Sequence, residues 1–211
     1  LKKGLFITFE GPEGCGKSTH AKLAAEELAA RGFDVVLTRE PGGTVVGEKL
    51  RAIILDAKNE QISKTTELLL FETARSQIVS EVILPALRRR KIVICDRFSD
   101  STRAYQGYAG GMPLDKIESV DRIASNGVKP DLTLVMDIDA GTGLERAARK
   151  SVHDRMEKKG LSYHKKVRNG FLALARKEKK RIKVIKVRKN IDETFEAVYS
   201  EIARLLEKTL K

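Results

Sequence analysis

Five short apolar runs, at 5–9, 35–38, 92–95, 132–138 and 183–187, are separated by longer stretches in which apolar residues recur every three or four positions. The short runs are rich in β-branched and aromatic residues, as buried strands are. The stretch 19–30, with Leu23 and Leu28 among many alanines, has the composition of a helix. The segment 65–89 sets Leu68, Leu69, Phe71, Ile78, Val79, Val82 and Ile83 on one broad helical stripe, with Pro85 disturbing its last turns. Helical spacing also begins near Gly143, resumes at about Ser162, and closes the chain over 192–210 through Phe195, Val198, Ile202, Leu205 and Leu206. Strands alternating with helices predict an α/β fold, a five-stranded parallel sheet with helices on both faces. Ligands of such folds collect at the carboxyl ends of the strands.

At 211 residues the chain is long enough for one domain with a substantial core, and it shows no repeat, low-complexity tract or linker. No apolar run is long enough to span a bilayer and the start has no signal-peptide pattern, so a cytoplasmic protein without a membrane partner is expected. Cys15 and Cys95 lack metal-ligand spacing, and His20, His153 and His164 form no catalytic or metal pattern. Neither a disulfide nor a structural zinc is expected. The net charge of +12 invites a nucleic-acid reading, yet residues 1–143 carry 20 Lys+Arg against 20 Asp+Glu, and residues 144–211 carry 21 against 9. The excess sits in sign-mixed stretches of the last third that read as solvated helix faces, with no interleaved aromatic residues for stacking bases. No nucleic-acid partner is expected.

The chemistry starts directly after the first apolar run. Gly11-Pro12-Glu13-Gly14-Cys15-Gly16-Lys17-Ser18, followed by Thr19, fits the phosphate-loop pattern G-x-x-x-x-G-K-[ST] between a strand and a helix. Glycines there let backbone N–H groups turn toward an anion at a helix N-terminus. Lys17 reaches the outer phosphates of a nucleoside triphosphate such as ATP, and the Ser18 hydroxyl holds Mg²⁺. Cys15, among these donors, reads first as a small tolerated residue; a thiolate there, the alternative, would sensitise the site to thiol reagents.

Two further polar clusters stand at strand ends. Asp96 and Arg97 leave the third apolar run, where Asp96 can orient the magnesium ion and Arg97 can hold an anion in fork geometry; a purely structural ion pair is the alternative. Arg39-Glu40-Pro41-Gly42-Gly43-Thr44 follows the second run, and turn chemistry accounts for its Pro and Gly residues but not for Arg39 and Glu40.

Taken in order, Phe9-Glu10-Gly11, the Arg39–Thr44 string, Leu70-Phe71 with Arg75-Ser76-Gln77, Asp96-Arg97-Phe98, Ser101-Thr102-Arg103-Ala104-Tyr105-Gln106-Gly107, Pro130-Asp131-Leu132-Thr133-Leu134 and Asp154-Arg155-Met156-Glu157 resemble the motif series of thymidylate kinases. The resemblance spans nearly the whole chain. It implies a P-loop nucleoside monophosphate kinase fold with a short lid at about 146–160, phosphorylation of thymidine monophosphate by ATP and Mg²⁺, and a homodimer. It implies Phe71 stacked on thymine, Arg75 on a base oxygen, Gln106 near the base, Tyr105 against the deoxyribose, and Pro41 and Ser101 lining the substrate site. Arg51, Arg97 and Glu40 would surround the acceptor phosphate and its magnesium-bound water. Phe71 and Arg75 are four residues apart, so a helix presents both on one face.

Phosphoryl transfer needs a cation at the migrating group. The loop has no arginine between Gly11 and Lys17, so the resemblance is to the bacterial type, in which basic lid residues take this task. Arg146, Arg149, Lys150 and Arg155 are the candidates. Lys150 stands where family members often have arginine; lysine lacks the bidentate fork, which favours Arg149. Another nucleoside monophosphate kinase would share Lys17, Ser18 and Asp96 and differ at the base pocket. A nucleic-acid-dependent P-loop ATPase is the reading from outside that class.

Overall fold

The computed structural model describes residues 1–149 and 154–210. All five expected strands are present, as β1 (Leu5–Glu10), β2 (Val35–Arg39), β3 (Ile92–Asp96), β4 (Leu132–Asp137) and β5 (Ile182–Lys186). They form one parallel sheet in the order β2-β3-β1-β4-β5, with Phe9 opposite Asp96 and Glu10 opposite Val135. Strand β1 is central, and the chain crosses from it to both sides. That reversal opens a crevice at the carboxyl ends of the strands.

The two-residue period of β1 divides the core. Leu5, Ile7 and Phe9 pack with Ala21, Ala24 and Leu28 of α1 (Lys17–Ala30) and with Val198, Ile202 and Leu206 of the last helix, Ile191–Leu210. Phe6 faces the other way, toward Ile78, Val79, Ile83 and Phe98, and meets the Phe98 ring edge-on at 4.9 Å. Thr8 and Glu10 lie on this second face as well, and the Thr8 hydroxyl is 2.8 Å from that of Thr133. Alternation therefore turns Glu10 inward at the base of the crevice.

Helix α2 (Val45–Leu55) follows β2, its first turn capped by the Thr44 hydroxyl, which accepts from the Gly47 N–H at 2.9 Å. The long helix expected over 65–89 is broken into α3 (Lys64–Ile78), a π-helical turn (Val79–Ile83) and α4 (Leu84–Arg88). Pro85 directly follows the π-helical turn in a backbone that stays helical through Ile83 and Leu84, so the change of hydrogen-bond pattern falls where proline lacks an N–H. After β3, α5 (Ser99–Thr102) runs into a π-helical stretch, Arg103–Ala109, and then α6 (Leu114–Ala124). Helix α7 (Ala140–Ala148) starts three residues before the expected Gly143 because Asp139 caps it, accepting from Gly141 N and Thr142 N. Helices α8 (Leu161–Lys177) and α9 (Ile191–Leu210) complete the chain.

Candidate active site

The sharp turn after β1 is what makes the loop. Gly11, Gly14 and Gly16 have φ of 136°, 66° and 87°, a region that residues with a Cβ rarely adopt. A Cβ on Gly14 would lie 1.9 Å from the Gly143 carbonyl oxygen, so loop and helix α7 meet backbone to backbone. Gly16 caps α1 without a side-chain hydrogen bond. Lys17 folds back over the loop, its Nζ donating to the carbonyls of Pro12 at 2.8 Å and Gly11 at 3.2 Å. Cys15 is fully buried, and burial pushes its thiol up from the ordinary value, which fits the small packed residue and speaks against the thiolate.

At the end of β3 the Ser18 hydroxyl donates to an Asp96 carboxylate oxygen, and the other Asp96 oxygen is buried without a partner. A hydroxyl beside an unsatisfied carboxylate suits Mg²⁺, which takes one or two protein oxygens and completes its shell with phosphate and water. Among the described residues no group of three or more His, Cys, Asp or Glu side chains could hold a metal, in keeping with such a sparse site.

Arg97 has φ of 74°, a strained conformation for a non-glycine residue. Its N–H donates to Phe9 O at 2.9 Å, and the next N–H, of Phe98, donates to Glu10 Oε1 at 2.7 Å. The strain aims the guanidinium across the crevice, where it donates to Glu13 Oε1 (2.8 Å), Gly11 O (3.1 Å), Ser101 Oγ (3.1 Å) and Tyr105 Oη (3.1 Å). Tyr105 also donates to Glu13 Oε1 at 2.6 Å. Burial opposes the charge on Glu13, but Arg97, Lys17 and the tyrosine hydroxyl bring its pKa down to about 2. Glu13 is thus an ionised acceptor that holds Arg97 and Tyr105 together, a role its place in the loop pattern did not disclose. Glu10 behaves oppositely: burial and the neighbouring Asp100 raise its pKa to about 7, against the bonds it accepts from Ser101 and Phe98.

The wall beyond Tyr105 is built by α3 and the π-helical stretch. Phe71 lines the crevice, and Arg75 lies one turn on, buried over the Phe98 ring at 5.1 Å. Three carboxylates hold Arg75: Glu40 at 2.9 Å, Glu72 at 2.5 Å and Asp121 at 3.2 Å. Glu40, expected at the acceptor phosphate, is therefore engaged in fixing Arg75. Burial, reinforced by Glu72, outweighs Arg75 and raises the Glu40 pKa to about 8. Arg51 lines the crevice, its Nη1 donating to Pro41 O at 2.8 Å.

Of the lid candidates, Arg146 and Arg149 line the crevice from α7 and its C-cap. Lys150 lies outside the described residues, as do positions 151–153 of the expected lid. Arg155 is not among the residues that line the crevice. Its Nε donates to Ile54 O at 2.8 Å and its Nη1 to Glu67 at 2.6 Å, so segment 154–157 is docked on the ends of α2 and α3. No motif pointed to Val187, Arg188 and Lys189 of the β5–α9 connection or to Ile191 and Thr194 in the first turn of α9, which also line the crevice. The rule that sites lie at strand carboxyl ends, applied to β5, points to them.

Together these walls enclose a cleft of about 690 Å³, within the roughly 300–1,000 Å³ usual for small-molecule sites. A parallel sheet with a phosphate loop at its central strand and a second, base-sized wall facing it defines a P-loop nucleotide kinase. The family model for thymidylate kinase matches residues 9–198. A thymidylate kinase of Geotalea daltonii is 47% identical over 206 residues, covering 94% of this chain and 96% of the relative; one of Citrifermentans bemidjiense is 49% identical over 178 residues, covering 82% and 79%. The crystal structure of thymidylate kinase from Ehrlichia chaffeensis superposes with a TM-score of 0.78 at 34% identity, covering 95% of this chain and 98% of that one. The chain belongs to the thymidylate kinase family, enzymes that phosphorylate thymidine monophosphate to the diphosphate and use ATP as the phosphoryl donor.

Proposed function

We propose that the cleft holds both nucleotides at once, with ATP on the loop side and thymidine monophosphate against α3 and the π-helical stretch. The observation that carries this is the convergence, in one cleft, of Lys17, Ser18 and Asp96 with Phe71, Arg75, Tyr105 and Gln106. Lys17 and the loop hold the donor phosphates, and the β5–α9 connection receives the adenine. Ser18 and Asp96 would hold Mg²⁺, which would supply neutralisation of the donor's negative charge. Arg97 and Arg51 hold the acceptor phosphate so that its oxygen faces the γ-phosphorus. Catalysis is then alignment of two anions, with Arg149 or Arg146 as the cation at the migrating group.

On the acceptor side, Phe71 stacks on the ring. Arg75 has five N–H donors, and its carboxylate partners take four, which leaves one Nη2 hydrogen for a base carbonyl. Tyr105 packs on the deoxyribose, and an added 2′-hydroxyl there would be crowded and without a partner.

Exposed Ile53, Leu69 and Ile123 lie on adjoining helices α2, α3 and α6, a surface suited to a homodimer. The two free, buried cysteines fit a reducing, cytoplasmic setting. Among the described residues no helix is long and apolar enough to cross a membrane.

A coupled assay across nucleoside monophosphates, with and without DNA, tests this reading. Turnover should require an acceptor and prefer thymidine monophosphate, with residual activity on deoxyuridine monophosphate because one methyl offers only about 1 to 3 kcal/mol of discrimination. Preference for cytidine or adenosine monophosphate, or DNA-stimulated hydrolysis without an acceptor, would sink it.

A further inference from the structure

Glu67 stands outside every motif noted above, yet it is one of the most heavily bonded side chains of the acceptor wall. It precedes Phe71 by four residues and Arg75 by eight, so all three lie on one face of α3. Its residue is 6% exposed, and three side chains converge on its carboxylate: Gln106 Nε2 at 2.9 Å, Arg155 Nη1 at 2.6 Å and Lys159 Nζ at 3.2 Å. These donors hold it below the usual carboxylate range in spite of its burial.

The chemistry of Gln106 makes this contact informative. An amide presents two donors at one end and an acceptor at the other, and which end faces a ligand depends on what holds the remainder. An ionised carboxylate only accepts. The Gln106 NH2 must therefore face Glu67, and the amide oxygen, which has no partner among the described residues, is left at the cleft that Gln106 lines. On the same cleft, Arg75 offers a donor. A donor and an acceptor presented to one base match a carbonyl beside a ring N–H, the imide edge of thymine and uracil. Cytosine presents an amino group beside an unprotonated ring nitrogen, the inverse pattern, which sets donor against donor and acceptor against acceptor.

We propose that Glu67 is a positioning residue for base recognition: its carboxylate turns the Gln106 amide so that the oxygen faces the acceptor base, selecting an imide edge over that of cytosine. Arg155 and Lys159 anchor Glu67 from the far side and keep the carboxylate in place. The inference rests on the acceptor site proposed above.

The test compares dissociation constants of deoxythymidine and deoxycytidine monophosphate, by calorimetry, for the full chain and for Glu67→Gln, Glu67→Asp, Gln106→Leu and the double variant Glu67→Gln/Gln106→Leu. In Glu67→Gln the Gln106 amide is free to reverse. Affinity for the thymidine nucleotide should fall about tenfold to a hundredfold while that for the cytidine nucleotide stays level or rises. Glu67→Asp keeps a charge for Arg155 and Lys159 but withdraws it from Gln106 by one methylene, and it should narrow the ratio as well. In the Gln106→Leu background, Glu67→Gln should leave the ratio unchanged. A merely structural Glu67 would weaken both nucleotides by one factor, and that outcome overturns the proposal. Should Glu67→Gln fail to fold, a wild-type ratio in Gln106→Leu or Glu67→Asp overturns it equally. A wild-type chain that binds neither nucleotide would instead remove the acceptor-site reading itself.

Discussion

Arg75 shows how much a single side chain can be asked to do in this site. It is 2% exposed, meets three carboxylates, and in the proposed acceptor site keeps one further hydrogen for the base. Removing it would leave Glu40, Glu72 and Asp121 buried around a void. Arg75→Ala should therefore destabilise the fold by about 3 to 5 kcal/mol, readable as a fall in Tm of about 2 to 4 °C for each kcal/mol at this chain length; a loss of base binding with unchanged Tm would show the cluster to be dispensable. The exposed Arg149 is the contrasting case. Its truncation should leave Tm and nucleotide affinity nearly unaltered while turnover falls by about 10³-fold or more, and single-turnover kinetics beside equilibrium binding would measure the split. Unchanged turnover would remove Arg149 from the chemistry. Residue identity alone pointed to both arginines, because their motifs are local. It did not show that Glu40 serves Arg75, or that Arg155 serves Glu67, since those partners lie 35 and 88 positions away.

Between elements, the decisive contact is backbone on backbone. A Cβ on Gly143 would come within 2.3 Å of the Glu13 carbonyl oxygen, so α7 is seated directly against the phosphate loop and carries Arg146 and Arg149 with it. Alanine favours helix interiors over glycine by about 1 kcal/mol, so on propensity alone Gly143→Ala would stabilise α7. The contact reverses that expectation for function: the helix must withdraw, and a displacement near 1 Å should lower kcat by about 10- to 100-fold. Measuring kcat and Tm together checks it, and wild-type turnover would mean that the loop tolerates the shift. Hydrophobic periodicity announced the strands and most helices, since burial on one or both faces leaves a trace in the residue order. It announced neither π-helical segment: one lies within the single stripe of 65–89, and the other, which carries Tyr105 and Gln106 into the cleft, lies where no apolar period stands out.

For the whole molecule, the buried carboxylates make stability depend on pH in opposite senses. Glu10 and Glu40, with pKa raised to about 7 and about 8, bind protons in the folded state that the unfolded chain releases above its ordinary value of 4.5. Their contribution is complete below that value and is lost as pH rises through 7 and 8. Glu13, lowered to about 2, contributes above 4.5 and loses its contribution as pH falls toward 2. Thermal unfolding followed across this range should show a maximum Tm near about pH 4 to 5, with a decline toward pH 8 that is shallower in Glu10→Gln. A flat profile between pH 6 and 8 would mean that Glu10 and Glu40 are ionised in the folded state.

The order of residues by itself determined the five-stranded α/β architecture, the phosphate loop and the family motifs, because each depends on periodicity or on neighbours within about ten positions. Through the family resemblance, the missing loop arginine also raised the expectation that the transferring charge comes from elsewhere. Only the tertiary structure decided which groups those motifs meet. Glu13 bridging Arg97 and Tyr105, Glu40 and Asp121 around Arg75, Glu67 between Gln106 and Arg155, and Gly14 against Gly143 all join segments that the parallel crossovers bring together. A carboxylate's partner, and hence its charge, is a property of that assembled neighbourhood, and no local pattern records it.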